Sequence, residues 1–282
     1  MSAGYFERGS VSRRVIGHPA ALVGGLRALL LQALHPLAMA GVAQNSRYLD
    51  DPLGRLQRTA GYVSTLTFGT REDADAAVAQ VRAVHRHVNG IDPVTGERYS
   101  ASDPDTMLWV HCVEVHSFLA AYRAYARPIS AADQDTYLAE QVVAAELIGI
   151  PPGRAPGSVA EFREYFAAVH GELRTSPDAE AAIAFVRRPT LPSLPMPLRI
   201  LLQPSFLVMG EAATALVPRS LRELAGLPDP GLLGMPSRMA VATAANAVAA
   251  VSEVPFLRYA VETPIERALG ISKRRGSPRV AA

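Results

Sequence analysis

Seven histidines, at positions 18, 35, 85, 87, 111, 116 and 170, carry much of the chemistry this chain can offer. Helical phase sorts them. Ala74, Ala77, Val78, Val81, Val84 and Val88 make an apolar stripe. At about 100° per residue His85 falls inside that stripe, whereas His87 turns toward Gln80 and Ala83. An imidazole among apolar side chains is costly unless its nitrogens meet hydrogen bonds or a metal. Leu108, His111, Val115, Phe118 and Tyr122 form a second stripe that carries His111 inward, with His116 on another face near Trp109 and Val113. Arg55, Thr59, Tyr62 and Leu66 follow at steps of four, three and four, so they share one helix face, Arg55 and Thr59 only about 40° apart. A guanidinium and a hydroxyl so placed can reach one ligand together. The same spacing also suits a surface ion pair beside a threonine bonded back to a carbonyl.

Several metal and nucleophile chemistries are excluded by the pattern. A di-iron bundle needs Glu-x-x-His pairs, and no histidine here has a glutamate three residues before it; His111-x-x-Glu114 runs in reverse order. His85 and His87 on one helix point about 200° apart and cannot share a zinc ion. Cys112 is the only cysteine, and the phosphate-loop, GxSxG and HExxH patterns are absent. A haem needs only one inward histidine in an apolar helical pocket. A lone histidine in such a stripe is also the ordinary mark of a satisfied core residue, so the residues alone leave both readings open.

The elements that must position these groups are helices. Hydrophobic residues make up 49% of the 282 and charged residues 19%, which excludes a disordered chain. Net charge is +2, 27 of the 28 basic residues being arginine, and this near balance gives no argument for nucleic acid. No stretch alternates with period two, while apolar residues recur at helical spacing almost throughout, predicting an all-α single-domain bundle of about ten helices. The first runs from about Pro19 into the mid-forties, bent at Pro36. The second opens at Asp51-Pro52 and reaches about Thr67, and the third runs from Thr70 to Gly90. Asp103-Pro104 opens a fourth, apolar on most sides and therefore central. Others follow near 131–148, 158–170, 175–187, 197–216, 218–226 and 235–269, the last broken near Pro255. Residues 1–13 read as an N-terminal extension, 14–270 as the domain and 271–282 as a basic tail.

Ser12-Arg13-Arg14 before an apolar stretch has the look of a twin-arginine export signal cleaved after Ala40. Arg27, Gln32 and His35-Pro36 interrupt that stretch, which predicts a retained helix in a cytoplasmic protein, with Arg27 on its polar face, and argues against a stable membrane span. Export is the alternative. The oligomeric state is not legible.

A wider pattern joins these pieces. Gln32-x-x-His35-Pro36, Asp51-Pro52-x-x-Arg55-x-x-x-Thr59, Phe68-Gly69, Val84-His85-x-x-Val88-x-Gly90, Tyr99-Ser100-Ala101-x-Asp103-Pro104 and Trp109-Val110-His111 follow in order. Over about residues 14–125 the chain resembles the oxygenase family that includes the latex-clearing rubber oxygenases and the ER-bound oxygenase of mycophenolic acid synthesis. The resemblance implies a helical bundle around an apolar pocket for b-type haem. It also implies a dioxygenase chemistry in which O2 cleaves an isoprenoid carbon–carbon double bond to two carbonyls. Oxygenation without cleavage, such as hydroxylation, is the variant. In the rubber enzymes an R-x-x-x-T pair lies on the distal side of the haem and a histidine on a following helix is its proximal ligand. By resemblance Arg55 and Thr59 take the first role and His85 the second, with His111 the alternative axial ligand. The residue before the threonine, a lysine in rubber enzymes, is Arg58 here, and an arginine is a poor iron ligand. The partners implied are O2 and an apolar small molecule. A competing reading, a non-enzymatic helical haem- or lipid-binding protein, keeps the pocket and does not need the Arg55/Thr59 pair.

Overall fold

Helix starts follow from side chains that cap them. The computed structural model describes residues 3–46, 52–189, 195–229 and 231–253, and among these the architecture is an all-α single domain of twelve helices and one short hairpin. Helix α1 is Val11–Ile16, α2 Ala21–Gln32, α3 Pro36–Asn45, α4 Pro52–Phe68, α5 Arg71–His85 and α6 Pro104–Tyr125. Helices α7 (Ala131–Ile148), α8 (Val159–Val169), α9 (Pro177–Arg187), α10 (Met196–Ala215), α11 (Arg219–Leu224) and α12 (Gly231–Glu253) complete the set. Thr70 caps α5 by accepting from the Asp73 amide, Asp103 caps α6 from Asp105 and Thr106, and Ser130 caps α7 from Asp133. Each such cap contributes about 1 kcal/mol. Gly149 ends α7 in the left-handed region, φ 114°, where a side chain would be strained. Asp51, expected to cap α4, lies outside the described residues, as do the Pro255 break and the tail from 271.

The core is built around α6, whose Trp109, Cys112 and Val113 expose no surface. Helix α2 crosses it closely at Gly24, where a Cβ would fall 2.9 Å from a Phe118 ring carbon and 3.0 Å from the Ser117 carbonyl oxygen. Helices α9, α10 and α12 complete this first apolar cluster. A second joins α1, α6, α7 and α8 through Val15, Leu108, Val115, Tyr137, Leu138 and Phe162. A third, smaller one joins α4, α5 and α7 through Leu66, Ala74, Val78 and Ala144.

The structure departs from the sequence reading in four places. The single bent helix is two, α2 and α3, at 104° to one another, because His35 caps a new helix and Pro36 takes its first position. Helix α5 stops at His85 rather than Gly90, and β1 (Asn89–Ile91) then pairs antiparallel with β2 (Arg98–Ser100). The turn between them is closed by Asp92, whose carboxylate accepts from the Val94 and Thr95 amides and the Thr95 hydroxyl. Arg27 is not on a polar face. It is 1% exposed, donating to the Leu216 carbonyl oxygen at 3.0 Å and the Ser117 hydroxyl at 2.6 Å. Finally, Ser12, Arg13 and Arg14 lie on a packed helix. Glu140 of α7 accepts from the Val11 and Ser12 amides, Gln141 donates to Ser12, and Arg14 pairs with Asp133 at 2.6 Å. Upstream, Phe6 is buried and the Tyr5 hydroxyl donates to Asp75. No single helix among the described residues is long and apolar enough to cross a membrane; the bent α2–α3 pair passes by length and composition only.

Candidate functional site

Helices α4 and α5 form a hairpin. Only Gly69 and Thr70 join them, so α5 folds back along α4. Helix α4 packs on α5 through Leu66, Ala74 and Val78, and His85 is the last residue of α5. His85 is half-buried, and its Nδ1 is buried with no hydrogen-bond partner. Burial lowers its pKa, keeping the ring neutral. A neutral imidazole with an orphaned nitrogen is the form that can ligate iron. His87, two residues on, is exposed, but it lies in the turn after α5, so the phase of that helix does not account for it. Val84 is also exposed, at 57%, so the stripe around His85 is narrower than its spacing suggests.

On α4, Arg55 is half-buried and donates to the Ser46 hydroxyl at the end of α3, at 3.2 Å. Thr59, one turn along the same face, is exposed, and Tyr62 follows at the next turn. The Arg55/Thr59 pair is thus carried by one unbroken helix, with the arginine tethered at its base.

Tyr62 of α4 is half-buried. Helix α4 packs on α5 and α1, and α6 on α2, α7 and α12, but α4 and α6 do not pack on each other to a comparable extent. Tyr62 on one side, and His111 and Glu114 on the other, keep accessible surface and make no hydrogen bond among the described residues. Burial drives the His111 pKa down to about 4, lifts the Glu114 carboxyl to about 7 and pushes the Tyr62 hydroxyl well above its ordinary value, the Glu114 charge adding to the last. Val63 of α4 packs against the apolar cluster of Leu108, Val115 and Phe118.

Elsewhere on α6, His116 Nδ1 lies 3.3 Å from Arg27, and its ring packs against Phe162 and Phe166. Burial first, then the charges of Arg27 and Arg123, lower its pKa to about 3. Burial brings Arg27 itself down to about 10. His35 caps α3 and lies against Trp109, and His18 Nδ1 accepts from the Ala20 amide just ahead of α2. These three histidines have structural duties. Among the described residues no three His, Cys, Asp or Glu side chains gather as an ion site. A porphyrin supplies four donors of its own and asks the protein for one histidine, which His85 can provide; His111, neutral and unbonded, is the other candidate.

Glu114 and the enclosure of Tyr62 were missed from sequence. The available sign was a single carboxylate three residues after His111 on an otherwise apolar helix, which places both on one face.

Comparison with known proteins identifies the family. The family model described as "ER-bound oxygenase mpaB/B'/Rubber oxygenase, catalytic domain" matches residues 13–251. No curated protein and no solved structure matches the chain.

Proposed function

The chain belongs to the mpaB/rubber oxygenase catalytic-domain family, and from that premise we propose that this oxygenase depends on haem b and acts with O2 on an apolar isoprenoid alkene. The observation that supports the cofactor is His85, neutral, half-buried and with an orphaned buried Nδ1. His111 is the alternative ligand. Bound haem supplies the iron at which O2 is activated.

The chain's own residues do the rest. Arg55, tethered to Ser46, presents a fixed cation, and the Thr59 hydroxyl lies one turn away on the same face. Together they hydrogen-bond oxygen as it gains negative charge, a preorganised electrostatic role. The Val63, Leu108, Val115 and Phe118 side chains exclude water and hold the hydrocarbon. In the cleavage reaction the C=C bond breaks, each of its carbons takes one oxygen atom of O2, and two carbonyl products leave. Hydroxylation would add one oxygen atom and keep the carbon skeleton whole.

We place the protein in the cytoplasm with its N-terminal segment retained. Supporting this, Arg14 pairs with Asp133 and the start of α1 is bonded to Glu140, so removal of the segment would strip a face of α7.

The test is turnover of farnesyl and geranylgeranyl compounds under ¹⁸O2 with trapping of carbonyls. Two labelled carbonyl fragments are expected. Haem bound without any oxidised product would favour the haem- or lipid-binding reading instead.

A further inference from the structure

A cavity of about 590 Å³ lies between the start of α3, the β1–β2 hairpin and the start of α6, with Glu172 on its remaining side. None of the oxygenase roles assigned above uses it, although small-molecule sites run from about 300 to 1,000 Å³. Two of its lining side chains are almost wholly buried, His35 and Thr106, each 6% exposed. Their polar atoms are nevertheless unsatisfied. His35 Nδ1 accepts from the Ala38 amide, which leaves the ring proton on Nε2. Neither that N–H nor the Thr106 hydroxyl has a hydrogen-bond partner among the described residues. Neither atom is sealed from solvent, and on side chains this buried the opening is the cavity they line. Glu172 Oε2 stands 3.9 Å from His35 Nε2, too far for a direct hydrogen bond. Buried donors held open toward a cavity cost free energy unless something fills it and pairs with them.

We propose that this cavity binds a small polyhydroxylated molecule of the sugar class, with His35, Glu172 and Thr106 as its innermost contacts. An oxygen about 2.8 Å from both His35 Nε2 and Glu172 Oε2 sees the two at about 90°, close to the angle between a hydroxyl's lone pair and its O–H bond. One hydroxyl therefore accepts from the imidazole and donates to the carboxylate. A second meets the Thr106 hydroxyl, and Asn89 and Arg98 offer further hydrogen bonds at the rim. Other ligand classes fit less well. Phosphate would meet the Glu172, Asp103 and Asp105 carboxylates, all of which line the cavity. An organic cation would meet the His35 N–H and the Arg98 guanidinium. A metal ion gains nothing from His35, whose ring turns a proton and not a lone pair toward the space. An apolar molecule would leave both buried donors unpaired. A polyol alternates donor and acceptor as the lining does.

The experiment titrates the purified full chain with glucose, maltose and myo-inositol, and with phosphate and ethylammonium as contrasts, by calorimetry and ligand-observed NMR. At least one of the three polyols should bind with a Kd in the millimolar range, as suits a strongly hydrated ligand in an open site, and neither contrast should match it. Glu172→Leu removes the accepting carboxylate from an exposed position, and Thr106→Val exchanges a hydroxyl for a methyl at nearly constant volume. Each should weaken binding by about five- to tenfold, the size of one net hydrogen bond. Because Glu172 is largely solvent-exposed, its variant reads the contact even where Thr106→Val disturbs α6. No polyol binding at tenfold higher concentration would overturn the proposal. So would tighter binding of phosphate or ethylammonium, or an affinity unchanged in Glu172→Leu.

Discussion

Burying Glu114 has a pH-dependent cost that can be worked out from its environment. Its carboxyl is raised from 4.5 to about 7 by burial, so the folded chain holds that proton more tightly than the unfolded chain does. Below the unfolded value both states are protonated and the group costs nothing. As pH rises through the window from 4.5 to about 7 the folded state must give up a proton it favours, and stability falls. The full shift corresponds to roughly 3.4 kcal/mol, and the part lost between about pH 5 and pH 8 to roughly 2.5 kcal/mol. Glu114 keeps some accessible surface and water there screens part of this, so roughly 1–2.5 kcal/mol is the expected range. Glu114→Gln removes the titration. Its stability advantage over wild type should therefore grow by that amount from pH 5 to pH 8, a rise of roughly 2–4 °C in Tm per kcal/mol for a chain this long. Urea melts followed by Trp109 fluorescence and far-UV circular dichroism, at both pH values and matched haem content, measure it. Other titrating groups occur in both proteins and cancel. An advantage that is the same at pH 5 and pH 8 would show that Glu114 is solvated.

His85→Ala should lose haem or alter its spectrum, whereas His87→Ala, on the exposed side, should leave both unchanged; equal haem in His85→Ala and wild type would move the ligand to His111. Arg55→Ala and Thr59→Ala should retain haem yet lose on the order of 10²–10³ in alkene oxidation, with Arg55→Lys recovering part, because lysine keeps the charge and not the planar fork. Full activity in both alanine variants would make that helix face structural. Intact mass of the protein from its native host should show no cleavage near Gly41, and a mature N-terminus there would show that the α1–α3 segment is an export signal.

What the sequence made legible was mostly local. Thr70, Asp103 and Ser130 each bond an amide two or three residues away, so these helix starts can be read from a few residues. The inward turn of His85 follows from the period of α5, whereas His87 is exposed in the turn beyond the helix, where that period no longer applies. The hairpin was hidden because three-residue strands are too short to display alternation, and its turn depends on the Asp92 side chain. Arg27 was misread because its partners, Ser117 and Leu216, lie 90 and 189 residues away, and no helical phase reports them. The burial of Glu114 was out of reach for the same reason: it belonged to a dismissed pair, and what surrounds it depends on how distant helices pack on α6.

The most direct test of the haem-dependent oxygenase reading is the absorption spectrum of protein freshly purified from haem-supplied cells, with iron and porphyrin quantified on the same sample. A Soret band with close to one haem per chain is the expected result. Colourless, correctly folded protein with neither iron nor porphyrin would contradict it.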